Sequence, residues 1–525
     1  MIQRISLRLE PRKAADEQLR RLEAARQSGV DVQRIVRCDL IKRSIDARQR
    51  RVMVNLTLDL HIDSIDSRDT LVEPAPVYPD VSGAPQAIVV GAGPAGLFAA
   101  LELIELGIRP IVVERGKDVD SRRRDMAAIS RTQKVDPESN YCFGEGGAGA
   151  FSDGKLYTRS TKRGPVGKVL QLLHHHGAER DILVDAHPHI GTDRLPQVIK
   201  SIRLTIERHG GKVLFGHRVD DLDITPDGTV EGVTLADGTK LSGPVILATG
   251  HSARDVYAML HRRGVEMSAK GIAVGVRLEH PQALIDSIQY HSPNGRGRYL
   301  PPAEYSMLCR VDGRAVYSFC MCPGGFIIPA ASGPGQLVVN GMSPSNRGTQ
   351  WANSGMVVEV LPEDIPGEDP LRMLEFQSGI EKRFHEATGG TQQAPAQRMT
   401  DFVDGRLSES LPRSSYAPGV VSRRVDQLLP PEVSRRLQEG FRQFGHKARG
   451  FLCKDALVVG DETRTSAPVQ LPRDRETLCH TGVGRLYPCG EGAGHAGGIV
   501  SAAIDGIRCA RALAAAETGR QISVD

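Results

Sequence analysis

The segment from Gln86 to Glu114 constrains the fold more than any other part of the chain. Gln86-Ala-Ile-Val-Val90 is a short apolar strand that runs into Gly91-Ala-Gly-Pro-Ala-Gly96. Leu97 to Leu106 carries a helical pattern stopped by Gly107, and Pro110-Ile-Val-Val-Glu114 is a second apolar strand ending in an acid. A GxGxxG run alone carries little weight; strand, glycine turn, helix, strand and acid in this order make it a dinucleotide fingerprint. Gly91 permits the tight turn, Gly93 lets backbone approach a pyrophosphate, and Gly96 lets the helix pack on the strand. Pro94 and Ala95 open the helix whose N-terminus faces the phosphate charge. Glu114 lies 23 residues beyond Gly91, where an acid hydrogen-bonds ribose hydroxyls and disfavours a 2′-phosphate. The expected ligand is therefore FAD or NAD, with Arg115 in the same site.

The flanking sequence reads as follows. Residues 2–9 alternate apolar and polar as a half-buried strand does, a helix pattern runs from Ala14 to about Gln27, and Val30–Ile41 and Arg51–Ile62 read as strands. The charged run Lys42–Arg48 falls between those two strands and is either solvated surface or a contact face. Prolines at 74, 76, 79 and 85 mark a linker. The expected organisation is a small β-α-β-β domain over 1–70, a linker over 71–85, and an FAD-binding domain over 86–265 that resumes over 456–525. A mixed α+β substrate domain over 266–455 interrupts it. The fold class is α/β, with a Rossmann-like three-layer unit at its centre. In the insertion, 274–278, 287–290, 316–319 and 336–339 read as strands, and 371–388 and 431–444 as helices.

Two further stretches separate FAD from NAD. Val245-Ile-Leu-Ala-Thr-Gly250 is a strand entering a Thr-Gly turn, and Gly484-Arg-Leu-Tyr-Pro-Cys-Gly490-Glu491-Gly-Ala-Gly494 leads to a helix beginning near Gly498. Tyr141–Lys155, His187–Asp193, Ala248–Asp255, Glu462–Pro468 and Tyr487–Gly498 complete the set, with Lys42–Arg48 as an N-terminal marker. The whole resembles a poorly characterised bacterial FAD-dependent dehydrogenase family within the glutathione-reductase/aromatic-hydroxylase flavoprotein superfamily. The resemblance implies FAD as cofactor, held by the first glycine motif together with Gly146, Gly147, Gly149, Val219, Thr249 and Gly250. It implies that Gly490, Glu491, Gly498 and Ile499 meet the ribityl chain and the flavin. The substrate is not implied.

What is missing narrows the chemistry. Cys142 stands alone where a disulfide reductase carries a redox CxxC, and no second strand–GxGxxG–helix lies between residues 160 and 450. NAD(P)H, if used, binds transiently in a shared cleft. Cys320-Met-Cys322 puts two thiols on one strand face by period-two alternation, either as small buried side chains or as a redox pair. It lacks the second pair that a zinc site needs, so no metal is expected. His174-His-His176 precedes Gly177 and reads as a helix end. Catalytic candidates are His495, inside the late glycine motif, Lys155, after the 144–154 glycine run, and Arg464, as an anion contact or the partner of Glu462 or Asp461. His187 and His189 could orient a substrate, and the 316–325 and 340–343 stretches and Trp351 could line its pocket.

Composition sets outer limits. With 40% hydrophobic and 25% charged residues the chain is globular, and a net charge of +4 argues against a nucleic-acid partner. No apolar h-region follows Met1 and no run of 18 apolar residues occurs, so a cytoplasmic protein without a membrane span is expected. Nine irregularly spaced cysteines fit a reducing compartment. The leading expectation is an FAD-dependent oxidoreductase, an enzyme passing hydride between flavin N5 and an organic small-molecule substrate. A flavin monooxygenase, a flavin-containing RNA-modifying or RNA-binding protein and a non-catalytic flavoprotein are the alternatives. A homo-oligomer is left open.

Overall fold

The computed structural model describes residues 1–64, 69, 71–157 and 164–524. Its first unit is a three-stranded antiparallel sheet in the order Ile2–Leu9, Met53–Ile62, Ile35–Asp46. The single helix expected from Ala14 onward is two, Pro11–Ala15 and Glu17–Ser28. Asp16 leaves helical geometry (φ −84°, ψ 119°) and its carboxylate accepts from Leu19 N–H, so it caps the second helix. Ala24 and Ala25 are buried with Leu7, Leu9, Leu56 and Leu58 in this unit's own core.

The charged run 42–48 is not a separate connection. The strand Ile35–Asp46 continues through it, and register shifts mark two irregularities where it pairs with Met53–Ile62. Arg43 reaches out of the unit, giving two hydrogen bonds to Asp185 (2.6 and 2.9 Å) and one to Asp181 (2.9 Å). Its carbonyl accepts from Ala186 N–H. The contact-face alternative thus describes Arg43. Arg34, Arg37 and Arg48 pair with Asp63, Asp39 and Asp46. The basic stretch that invited an RNA reading is largely matched by acids.

The second unit is built on five parallel strands in the order Leu486–Pro488, Val245–Leu247, Gln86–Val90, Arg109–Glu114, Lys212–Phe215. Alternate residues of Gln86–Val90 pack on opposite faces, as strand periodicity requires. Ala87 and Val89 join the core formed with helices Pro94–Glu105, Leu195–Arg208 and Ile499–Thr518. Ile88 and Val90 join the core formed with the antiparallel strands Val219–Ile224 and Val230–Leu235 and helix Arg254–Arg262. This is the expected three-layer α/β arrangement.

The insertion carries a seven-stranded sheet in the order Leu308–Val311, Arg314–Cys322, Trp351–Val360, Ile272–Pro281, Leu457–Glu462, Ala394–Arg398, Val420–Ser422. Leu457–Glu462 pairs with Ile272–Pro281 on one side and Ala394–Arg398 on the other. The chain therefore leaves this sheet after residue 462, later than the boundary expected at 455. Residues 287–290, expected as a strand, end the helix Gln282–Gln289, and the strand expected at 336–339 is Val339–Met342, paired with Phe326–Pro329. Helices Arg372–Glu386 and Pro431–Lys447 form where periodicity placed them and bury Phe384, Phe441 and Phe444. Among the described residues no helix is long and apolar enough to cross a membrane.

Candidate functional site

A cavity of about 790 Å³ opens where the C-terminal ends of the parallel strands meet the inserted sheet. Gly91, Gly93, Pro94, Ala95, Glu114, Arg115, Gly147, Gly149, Val219, Thr249, Gly250, Glu491, Gly498 and Ile499 line it, as do Lys155, Arg464 and His495. Gly96, Gly146 and Gly490 do not. They lie behind the wall, where a Cβ would meet Gly91 O at 1.9 Å, Ile199 Cδ1 at 2.5 Å and Ala95 Cβ at 2.8 Å, respectively. Their smallness serves packing rather than direct contact, as expected for Gly96 but not for the other two.

Some of the glycines that line the cavity stand in open space. A Cβ on Gly93, Gly250, Gly497 or Gly498 would meet no heavy atom within 4 Å. Helices Pro94–Glu105 and Ile499–Thr518 both begin at this wall, capped by glycines without a side-chain hydrogen bond. Two helix starts with free N–H groups and positive dipole ends fit the diphosphate of a dinucleotide. The volume and lining of the cavity fit FAD, and Gly93, Pro94, Ala95, Gly498 and Ile499 would hold its charged parts.

Glu114 does more than its motif position suggests. Its carboxylate accepts from Ala92, Gly116 and Gly144 N–H, each at 2.9 Å, and so ties together three cavity loops. A carboxylate offers about four lone-pair sites, which leaves one for a ribose hydroxyl. Arg115 pairs with Glu138 and Asp255 and lies 4.4 Å over the Phe143 ring. Asp505 positions the late motif, accepting from Gly490 N–H at 2.7 Å while paired with buried Arg473. Cys489 and Cys509 lie beside this carboxylate, but the guanidinium occupies the centre that a cation would need.

The catalytic candidates divide. Arg464 is not an anion contact. It meets neither Glu462 nor Asp461 but Glu381 of the inserted helix, through Nε and Nη2 at 3.0 Å each. Ser332, Ser252 and Gln336 take its remaining donors, and Arg254 binds the same Glu381 at 2.6 Å. With all five N–H groups engaged, this guanidinium joins the two units and has none left for substrate. His495 donates from Nε2 to Leu471 O at 3.0 Å, which leaves Nδ1 as an acceptor, and burial lowers its pKa. Lys155 donates to Met321 O and leaves two donors toward the cavity.

His187 and His189 do not line the cavity. His187 meets Glu304 at 3.4 Å and packs at a tilt against Tyr157, and His189 meets Ser345 O. Trp351 is likewise outside it. Of the expected 316–325 and 340–343 linings, Phe319, Cys320 and Asn340 reach the wall.

Beside Glu491, expected at the flavin, the cavity holds His251 and Lys270, which were not singled out as site residues beforehand. Burial raises Glu491 to about 7, with Lys270 opposing the shift and Cys320 adding to it. His251, 3.9 Å from Glu491, is lowered to about 4 by burial and by the charges of Arg464 and Arg254, so it is neutral. His251 follows the Thr249-Gly250 turn and is in principle recoverable from that motif. Lys270 sits in no pattern that marks it.

Three stretches of the chain match family models. Residues 85–132 match an FAD binding domain, residues 271–465 match the C-terminal domain-like region of FAD-dependent proteins, and residues 1–61 match a domain of unknown function. A protein of Clostridium beijerinckii is 42% identical over 493 residues, 91% of this chain and 92% of its own length. Among solved structures, FqzB is 17% identical with a TM-score of 0.36, covering 83% of this chain and 78% of its own. The halogenase PltM is 13% identical with a TM-score of 0.37, covering 83% and 71%.

Proposed function

Starting from the chain's membership of one family with the Clostridium beijerinckii protein, as an FAD-binding flavoprotein enzyme, we propose that it moves hydride between flavin N5 and an organic substrate. The supporting observation is the two-sided cavity. One wall is the bare glycine backbone of the nucleotide motifs, and the other is Phe319, Cys320 and Asn340 of the inserted sheet. A small molecule held by the second wall lies against whatever the first wall holds.

Bound FAD supplies two-electron chemistry. The chain's own residues then have separable tasks. The two glycine-capped helix starts bind the diphosphate, and the Arg464–Glu381–Arg254 cluster holds the inserted sheet over the cavity. Lys155 offers N–H donors to a carbonyl or anionic group of the substrate. Glu491, near neutrality in its affinity for a proton, exchanges one with the substrate; a group whose pKa lies close to the working pH serves best in that role. NAD(P)H binds transiently in the same cavity.

The test is anaerobic mixing of the FAD-loaded protein with NADH, NADPH and panels of oxidisable metabolites. Bleaching of the flavin absorbance by one of them is expected, slowed in Glu491→Gln. Incorporation of oxygen from O₂ into a product would replace this reading with a monooxygenase, and no reduction by any donor would reject it.

A further inference from the structure

We propose that Cys320 and Cys322 form a redox pair that exchanges two electrons with the flavin of the same cavity, cycling between a dithiol and an internal disulfide. The inference rests on the flavin redox reading above and adds a second electron store to it.

The arrangement comes from a break in the strand Arg314–Cys322. Its ladder with Trp351–Val360 runs Phe319↔Gly355 and then Cys322↔Asn353, one residue too many for regular pairing. Cys320 takes up the irregularity at φ 46°, left-handed backbone that a side chain other than glycine or asparagine rarely adopts. The period-two expectation of one shared face is thereby replaced. Cys320 stands in the cavity wall, and Cys322 is fully buried behind it. The Cys322 thiol turns back onto its neighbour and donates to Cys320 O at 3.4 Å. Two residues apart, their Cα atoms lie within about 7 Å of each other, at the edge of the range a disulfide spans.

Two cations flank the pair, Lys155 in the cavity wall and Arg277 behind it. Arg277, with no exposed surface, donates to Cys322 Sγ at 3.3 Å and to Cys320 O at 2.7 Å. The same guanidinium is held by Asn353 at 2.8 Å and Glu462 at 3.1 Å. A Cβ on Gly341 would sit 2.1 Å from Arg277 Nη2, so that glycine leaves the space the guanidinium fills. The neighbouring Cys322 side chain lowers the Cys320 pKa, with Lys155 and Arg277 adding to it and burial and Asp153 opposing; Cys322 itself is raised. An accessible thiolate backed by a protonated thiol is the pairing that dithiol oxidation needs. Counted from the neutral dithiol, one S–S bond forms and both S–H bonds are lost. The oxidised flavin takes the two electrons and two protons and becomes the dihydroflavin.

The experiment uses the full chain loaded with FAD. Anaerobic dithionite titration is expected to consume four electrons per FAD in the wild type and two in Cys320→Ser. Denatured in iodoacetamide without reductant, the oxidised holoenzyme is expected to leave the peptide bearing both cysteines unlabelled, and prior reduction to allow two labels. Two electrons per FAD in the wild type, with both cysteines labelled without reduction, would overturn the pair. Four electrons in Cys320→Ser would also overturn it and point to other thiols. If the flavin itself takes up no electrons, the flavin redox reading fails, while the labelling pattern still decides the pair. Labelling needs no variant, so a misfolded substitution does not blunt the test.

Discussion

Gly93 and Gly96 lie three residues apart in one motif, yet they should fail in opposite ways when each is replaced by alanine. At Gly93 the backbone is at φ −77° and ψ −176°, ordinary extended geometry for an L-residue. A Cβ there meets nothing within 4 Å and projects into the cavity. The apoprotein should lose less than about 1 kcal/mol, the scale of a helix-cap change. The diphosphate, however, can no longer approach the amides behind it. One or two charge-assisted hydrogen bonds at about 1.5–3 kcal/mol each are lost or lengthened, which weakens FAD at least about 10-fold. At Gly96 a Cβ would lie 1.9 Å from Gly91 O and 3.2 Å from Val89 Cγ1. The helix must move off the strand, at an overpacking cost of about 1–3 kcal/mol or more, offset by about 1 kcal/mol of better helix propensity. Urea unfolding of the apoproteins and fluorescence titration with FAD measure both quantities. If Gly93→Ala binds FAD as the wild type does, or unfolds as early as Gly96→Ala, the division between facing and packing glycines is wrong.

Three other outcomes are expected. Glu381→Leu strands the Arg464 and Arg254 guanidiniums without a counter-charge and should cost about 3–5 kcal/mol in urea unfolding of the apoprotein; a loss below about 1 kcal/mol would refute the clamp. Glu491 is raised from its ordinary value to about 7, so the folded state binds its proton more tightly than the unfolded chain. That contribution is full below the ordinary carboxylate range and is lost as pH rises through about 7, by about 3 kcal/mol over the window. Glu491→Gln should therefore gain apoprotein stability relative to wild type between about pH 5 and pH 8, and a pH-independent difference would contradict this. Lys155→Met should keep full FAD content while turnover, once a substrate is known, falls at least about 10-fold; unchanged turnover removes Lys155 from the site.

The nucleotide half was legible because its signals are local. The tight turn at Gly91, the close helix packing at Gly96 and the strand alternation of Gln86–Val90 are each fixed by residues within one βαβ unit. Their physical requirements therefore appear directly as residue types at short spacing. The same holds for Gly250 and Gly498, each at a turn where an element ends or begins. The errors at 287–290 and 42–48 have a local cause too. Short apolar or charged runs do not distinguish a helix end, a strand or a loop, and the strand Ile35–Asp46 is fixed by its ladder with Met53–Ile62.

The inserted half was less legible because register, not composition, decides its site. Arg464 needs a buried partner, and Glu462 and Asp461 are the acids adjacent to it in sequence. The strand Leu457–Glu462 pairs Glu462 with Gly275 of Ile272–Pro281, and its carboxylate is taken by Arg277. Asp461 is fully buried and raised well above the ordinary carboxylate range by that burial, so it offers Arg464 no charge. Arg464, just past the strand, reaches Glu381 on a helix 83 residues away in sequence. Cys320 follows the same logic. Alternation alone puts it beside Cys322, and only the extra residue opposite Gly355 and Asn353 turns one thiol to the cavity and the other to Arg277. A register shift of one residue thus separates two inert core cysteines from a reactive pair. In the reduced dithiol form the cavity-facing Cys320 should alkylate rapidly; restoring regular pairing by deleting Met321 should abolish that in folded, reduced protein, and retention of the reactivity would show that the bulge does not create it.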